Sequence, residues 1–166
     1  MNDELHGLAA AVLDACRTRH LKVATAESCT GGLVAGALTE IAGSSDVVDR
    51  GFVTYSNQAK QQMLGVSPET LRDYGAVSRQ TAEEMARGAV RHSDAQLAVA
   101  ITGVAGPGGG SADKPVGLVH FAAATRAGAL TAKEMRYGDI GRTQVREKSV
   151  LQALAMLEEL AERSSS

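Results

Sequence analysis

The sequence predicts an α/β fold, a three-layer α/β/α sandwich around a mixed sheet, with residues 1–166 forming one domain. Three observations carry that prediction. Segments with helical apolar spacing alternate with short β-rich runs, as they do where helices cover a sheet. The run AQLAVAIT at 95–102 is apolar almost throughout, which suits a strand covered on both faces. Residues 117–125 and 130–137 flank Arg126-Ala127-Gly128-Ala129, which reads as an antiparallel hairpin.

The elements follow in chain order. Leu5, Leu8, Ala9, Val12 and Leu13 share one face at helical spacing, predicting an amphipathic helix over 3–19. The apolar run 21–26 then meets Glu27-Ser28-Cys29-Thr30-Gly31-Gly32, after which LVAGALTEIAG at 33–43 resumes the helical period: strand, tight turn, helix. GFVTY at 51–55 is β-rich, and NQAKQQML at 57–64 is composed for a short helix. Ser67 followed by Pro68 gives an N-cap with proline at the first helical position, and Ser78 opens a longer helix to about residue 91. The strand at 95–102 ends in the glycine-rich loop 103–110. After the hairpin, Val145, Val150, Leu154, Leu157 and Leu160 trace a long helix from residue 140 that ends in a frayed tail at 164–166.

Composition removes several classes of function. With 44% hydrophobic and 22% charged residues the chain is neither a disordered tail nor a membrane span, and no apolar run approaches the roughly 20 residues a spanning helix needs. A net charge of −2, from 17 basic against 19 acidic residues, argues against a protein that holds nucleic acid by phosphate attraction. Aromatics at 3% and the lack of Trp leave few platforms for stacking bases. Cys16 and Cys29 lack CxxC spacing, and MNDELHGLAA shows no charged-then-apolar leader, so a reduced, cytoplasmic protein without membrane or nucleic-acid partners is expected. His6, His20, His92 and His120 are scattered and form no HExxH, so no metal is expected; each reads as a surface or satisfied core histidine.

Ligands in open α/β sheets gather beyond the carboxyl ends of strands, and two unusual loops fall there, 27–32 and 102–110. In the first, Ser28 and Thr30 enter a helix beside Gly31 and Gly32, where bare backbone N–H groups can meet an anion or a developing oxyanion. On local spacing alone, simple N-capping by Ser28 or Thr30 is the commoner outcome. The second loop contains neither GxxxxGK[ST] nor GxGxxG; it suits phosphate or sugar binding through bare backbone as well as it suits a mobile connection. Arg142 and Arg146, four apart, share a face at the start of the last helix, where two guanidiniums can grip a phosphate, although a solvated charged face is the commoner use of such a pair.

Taken together, the blocks TAESCTGG at 25–32, GFVTYSN at 51–57 with Lys60, GAVS at 75–78 and AITGVAGPGG at 100–109 closely resemble the CinA C-terminal domain family, in the family's order and over nearly the whole chain. The resemblance implies nicotinamide-nucleotide amidase activity within pyridine-nucleotide recycling: nicotinamide mononucleotide and water give nicotinic acid mononucleotide and ammonia. It places the nucleophile on Ser28, the general base on Lys60 and a supporting tyrosine on Tyr55. It places substrate contacts on Thr102, Gly103, Gly106 and Arg142, and the turn at Thr30, Gly31 and Gly32, read above as open to an anion, is expected to contact substrate as well. Longer relatives carry a further N-terminal domain similar to molybdopterin-binding proteins, so a stand-alone amidase is expected, free of cofactor, acting on a small nucleotide and assembling as a homo-oligomer such as a dimer. The chemistry is coherent, because amide hydrolysis needs a nucleophile, a proton carrier and oxyanion donors, and a Ser/Lys pair supplies the first two only if burial or a nearby positive charge keeps the lysine neutral. Two alternatives stay open from sequence: a nucleotide-binding module that has lost turnover, and an amidase for another small carboxamide.

Overall fold

The alternating periods resolve into six helices and five strands among residues 2–164, the span that the computed structural model describes. In chain order these are α1 (Asp3–Thr18), β1 (Val23–Glu27), α2 (Leu33–Thr39), β2 (Val48–Val53), α3 (Asn57–Leu64), α4 (Pro68–Tyr74), α5 (Arg79–Arg91), β3 (Leu97–Gly103), β4 (Leu118–Thr125), β5 (Leu130–Arg136) and α6 (Arg142–Arg163). The sheet runs β2-β1-β3-β4-β5, with β1 parallel to both β2 and β3, and with β4 antiparallel to β3 and β5. The α/β/α sandwich around a mixed sheet is thus present. Of the expected frayed tail, Ser164 is the extended residue that ends α6, and residues 165 and 166 lie outside the described residues.

Strand alternation sends two different sets of side chains to the two faces. Val23, Leu97, Val99, Ile101 and Phe121 pack with Val12 and Leu13 of α1, Leu38 of α2 and Leu154 and Leu157 of α6. Ala24, Ala26, Ala98, Ala100, Ala122 and Ala124 face the other way, against Met85, Ala86 and Ala89 of α5. Small residues on that face let α5 lie close to the sheet, which is how a chain with so few aromatics closes its core. The approach of α3 to α5 is tighter still: a Cβ on Gly88 would stand 2.0 Å from the Leu64 carbonyl oxygen.

Serines cap three helices, Ser67 and Ser78 as their spacing predicts and Ser56 in addition. Ser56, Ser67 and Ser78 Oγ accept from the N–H groups of Ala59, Thr70 and Thr81 at the starts of α3, α4 and α5. Two boundaries differ from the sequence reading. β2 occupies Val48–Val53 instead of 51–55, because pairing with β1 recruits the polar residues Asp49 and Arg50 at a sheet edge, and because Ser56 already belongs to the cap of α3. α2 stops at Thr39, four residues early; Gly43 downstream has a left-handed φ of 84° that turns the chain away.

Parallel pairing brings the carboxyl ends of β1, β2 and β3 to one edge, and the antiparallel match of Gly103 with Val119 brings the entry to β4 there as well. Both unusual loops therefore converge. Replacing Gly88 by Ala is expected to cost about 1–3 kcal/mol through overpacking. Gly7→Ala, inside α1 and facing open space, is expected to gain about 0.5–1 kcal/mol. Urea unfolding of the two variants checks the contrast.

Candidate active site

Ser28 is the first residue after β1, and its N–H donates to the Ile101 carbonyl of β3 at 3.0 Å, extending the sheet pairing by one step. Neither Ser28 nor Thr30 caps α2, contrary to what local spacing favours. The cap position is Gly32, at a φ of 105°, and the helix start is held instead by the carboxylate of Glu27, which is fully buried. Glu27 Oε1 accepts from Thr30 Oγ at 2.6 Å, Gly32 N at 3.1 Å and Val34 N at 3.0 Å, while Oε2 accepts from Ala35 N at 3.0 Å. A negative charge at a helix N-terminus satisfies orphan donors and complements the dipole. With that work done by Glu27, the Ser28 hydroxyl is left to face another segment.

That segment is α3. Lys60 is 1% exposed, and its Nζ lies 3.0 Å from Ser28 Oγ, 2.8 Å from the Thr54 carbonyl and 3.3 Å from the Tyr55 carbonyl. Among the described residues no carboxylate pairs with it. Burial lowers its pKa, opposed only by the neighbouring Cys29 thiol, which burial itself pushes up to about 11. The three contacts accommodate either form: an ammonium donates to both carbonyls and to Ser28 Oγ, while a neutral amine keeps its two hydrogens on the carbonyls and turns its lone pair to the Ser28 hydroxyl proton; burial is what favours the neutral form.

A cavity of about 280 Å³ opens beside this pair, walled by the 103–109 stretch, Ala76 and Val77, and by Tyr55 and Arg142. Thr102 is buried and its Oγ donates to the Ala76 carbonyl at 2.8 Å, tying the end of β3 to the turn before α5. Gly103 lies so close to Leu118 and Val119 that a Cβ would come within 2.8 Å of both, and Gly106 takes a left-handed φ of 87°. Arg142 Nη1 donates to the Gly106 carbonyl at 2.8 Å and Nη2 to the Tyr55 hydroxyl at 2.9 Å. It forms no ion pair among the described residues, so a full positive charge stands at the mouth beside neutral acceptors only. A larger hollow of about 600 Å³ at the opposite end of the sheet, lined by Leu21, Arg126, Leu160 and others, has the hydroxyls of Thr125, Thr131 and Ser164 in its lining but no lysine or histidine to serve them as a base.

Of the residues singled out in the sequence, Ser28, Lys60, Tyr55, Thr102, Gly103, Gly106 and Arg142 meet at or around this cavity. Thr30, Gly31 and Gly32 do not line it. Thr30 Oγ and Gly32 N are spent on Glu27 and Gly31 N on the Ser28 carbonyl, so these groups shape the turn, and of the three residues only Thr30 keeps a backbone N–H without a protein acceptor among the described residues. Arg146 does not join Arg142 in a shared anion grip either; it turns to the carbonyls of Cys29 and Thr30, at 3.1 and 3.3 Å. Sequence reasoning missed Glu27. The available signal was a carboxylate closing an apolar strand just ahead of a helix start.

No group of three or more His, Cys, Asp or Glu side chains able to hold a metal occurs among the described residues. The pattern of the CinA C-terminal domain matches residues 5–161. The chain belongs to the CinA C-terminal domain family. Among relatives, it is 54% identical to the nicotinamide-nucleotide amidohydrolase PncC of Enterobacter agglomerans, over 81% of this chain and 83% of that protein. It is 51% identical to the protein of the same name from Escherichia coli K12, over 94% of each. The crystal structure of the competence/damage inducible protein CihA from Agrobacterium tumefaciens superposes with a TM-score of 0.95 at 59% identity, covering 99% of this chain and 98% of that one.

The buried Lys60 amine makes a thermodynamic prediction. Because burial lowers the Lys60 pKa in the folded state, the unfolded chain binds more protons between that pKa and about 10.4, and stability contributed through this group rises with pH across the window. Lys60→Met lacks this dependence. Urea midpoints measured at several pH values are expected to show the native protein gaining on Lys60→Met as pH rises.

Proposed function

We propose that this protein hydrolyses the carboxamide of nicotinamide mononucleotide to nicotinic acid mononucleotide and ammonia. The observation that carries the reading is the buried, carboxylate-free Lys60 amine 3.0 Å from the hydroxyl of Ser28, at the edge of a cavity bearing one uncompensated guanidinium. The names of the relatives supply the substrate class.

In the proposed reaction Ser28 Oγ attacks the carboxamide carbon as its proton passes to Lys60 Nζ, giving a tetrahedral oxyanion. Backbone N–H groups of the turn meet that charge; those of Cys29 and Thr30 donate to no protein acceptor among the described residues. Lys60 returns the proton to the departing nitrogen, the C–N bond breaks and ammonia leaves an acyl-Ser28. Water, deprotonated by Lys60, then attacks the acyl carbon, the Ser28–carbon bond breaks and the hydroxyl is restored. Every step is a proton transfer or an acyl transfer, and the residues present suffice for both. In this reading Arg142 and the backbone of the loop from Ala105 to Gly110 hold the 5′-phosphate, which is supported by the loop's N–H groups having no protein acceptor among the described residues and by Arg142 lining the same cavity. Among the described residues no helix is long and apolar enough to cross a membrane, and Cys16 and Cys29 are buried and unpaired, as suits a reducing setting.

Ser28→Ala is expected to fold normally and to lose at least about 1,000-fold in ammonia release. Lys60→Arg is expected to be inactive at every pH, because a guanidinium does not give up its proton in this range, while native turnover rises as pH passes upward through the lowered Lys60 pKa. A pH–rate profile of the native protein and Lys60→Arg checks both statements.

Phosphate recognition has its own signature. Nicotinamide riboside is expected to react about 10–150-fold less efficiently than the mononucleotide, the worth of one charge-assisted contact. In Arg142→Ala the kcat/KM for the mononucleotide is expected to fall and the gap between the two substrates to narrow.

A further inference from the structure

Arg146 stands one helical turn beyond Arg142 on α6, yet it serves a different part of the site. Its Nε and Nη2 donate to two consecutive carbonyls, those of Cys29 and Thr30, and it pairs with no carboxylate among the described residues. Gly31, next in the turn, takes a left-handed φ of 57° and donates its N–H to the Ser28 carbonyl. On the inner side of the same turn, Glu27 draws in the N–H groups of Gly32, Val34 and Ala35. The nucleophile's turn is therefore stretched between a carboxylate that takes its N–H groups and a guanidinium that takes its carbonyls.

A trans peptide holds its C=O and its N–H in opposite directions. Gripping the Cys29 carbonyl thus fixes the direction of the Thr30 N–H, a donor with no protein acceptor among the described residues. We infer that Arg146 is a positioning residue, holding the Cys29–Thr30 peptide so that its N–H is ready for the negative charge that develops beside Ser28, and that it takes no part in binding phosphate. The fork of a guanidinium reaches both carbonyls at once; an ammonium grips one. The inference rests on the amidase reading for its substrate, while its geometry concerns any attack by Ser28.

The test compares the native protein with Arg146→Ala, Arg146→Lys and Arg142→Ala. For Arg146→Ala the expected result is a fall of about 100-fold in kcat on nicotinamide mononucleotide, the scale of a misplaced catalytic donor. KM is expected to stay within about threefold and the preference over the riboside to stay native. Arg146→Lys is expected to recover part of kcat, and Arg142→Ala alone to narrow the preference. An unchanged kcat for Arg146→Ala, or a collapse of its mononucleotide preference, overturns the inference. If Arg146→Ala does not fold, Arg146→Gln is judged on the same readings.

A second readout needs no nicotinamide compound: the rate at which Ser28 is labelled by diisopropyl fluorophosphate, followed by intact mass. There Ser28 Oγ bonds to phosphorus, fluoride leaves, the hydroxyl proton passes to Lys60, and negative charge builds on the phosphoryl oxygen. Labelling is expected to slow about as much as kcat in Arg146→Ala. If the native protein releases no ammonia from the mononucleotide but labelling still slows in the variant, the substrate reading fails and the positioning role stands. Labelling at the native rate in Arg146→Ala removes the role.

Discussion

A lysine amine buried with no carboxylate to balance it is the constraint on which the rest of this site depends. A charged ammonium in that position is costly to desolvate, and the protein offers it only two backbone carbonyls and a hydroxyl. Both forms find hydrogen-bond partners there, so desolvation is what favours the neutral amine, which keeps two hydrogens on the two carbonyls and a lone pair for Ser28. This is why the one nearby carboxylate matters for where it points. Glu27 is spent four times over on Thr30, Gly32, Val34 and Ala35, and a carboxylate so engaged belongs to the start of α2 and forms no ion pair with Lys60.

The fold supplies the placement. Three parallel strands end at one edge, so residues as far apart in sequence as Ser28, Thr54, Lys60 and Thr102 arrive together without long excursions of the chain. α6 then closes the site from the far end of the sequence. Its first turn sends Arg142 to the cavity mouth and Arg146 to the nucleophile's turn, two cations with two destinations set by one helical rotation. The all-alanine face beneath α5 and the missing Cβ of Gly88 let α5 lie close enough to the sheet and to α3 to hold Lys60's helix in place.

Much of this architecture is legible in the sequence, and what is not has physical reasons. Helix starts announce themselves through local chemistry: Ser67-Pro68 and Ser78 act within three residues, and they stand where their spacing predicts. The hairpin and the apolar β3 are equally local signals. β2 is less so, because an edge strand takes its register from β1 and needs little apolar alternation of its own. The pairing of Ser28 with Lys60 spans 32 residues, and no local period encodes it; the resemblance of several blocks to one family named the two residues, and the fold put them 3.0 Å apart. Gly31, Gly32, the Thr30 side chain and Arg146 show the converse, since residue types suited to binding an anion are used here to build the turn that carries the nucleophile.

Attack by Ser28 requires Lys60 to be an uncharged amine, and an NMR titration of the native protein carrying lysine labelled with 13C at Cε, assigned by comparison with Lys60→Met, measures that directly. One lysine signal, absent from Lys60→Met, is expected to titrate below the ordinary lysine range near 10.4. A Lys60 signal that titrates with the surface lysines, or above them, contradicts it.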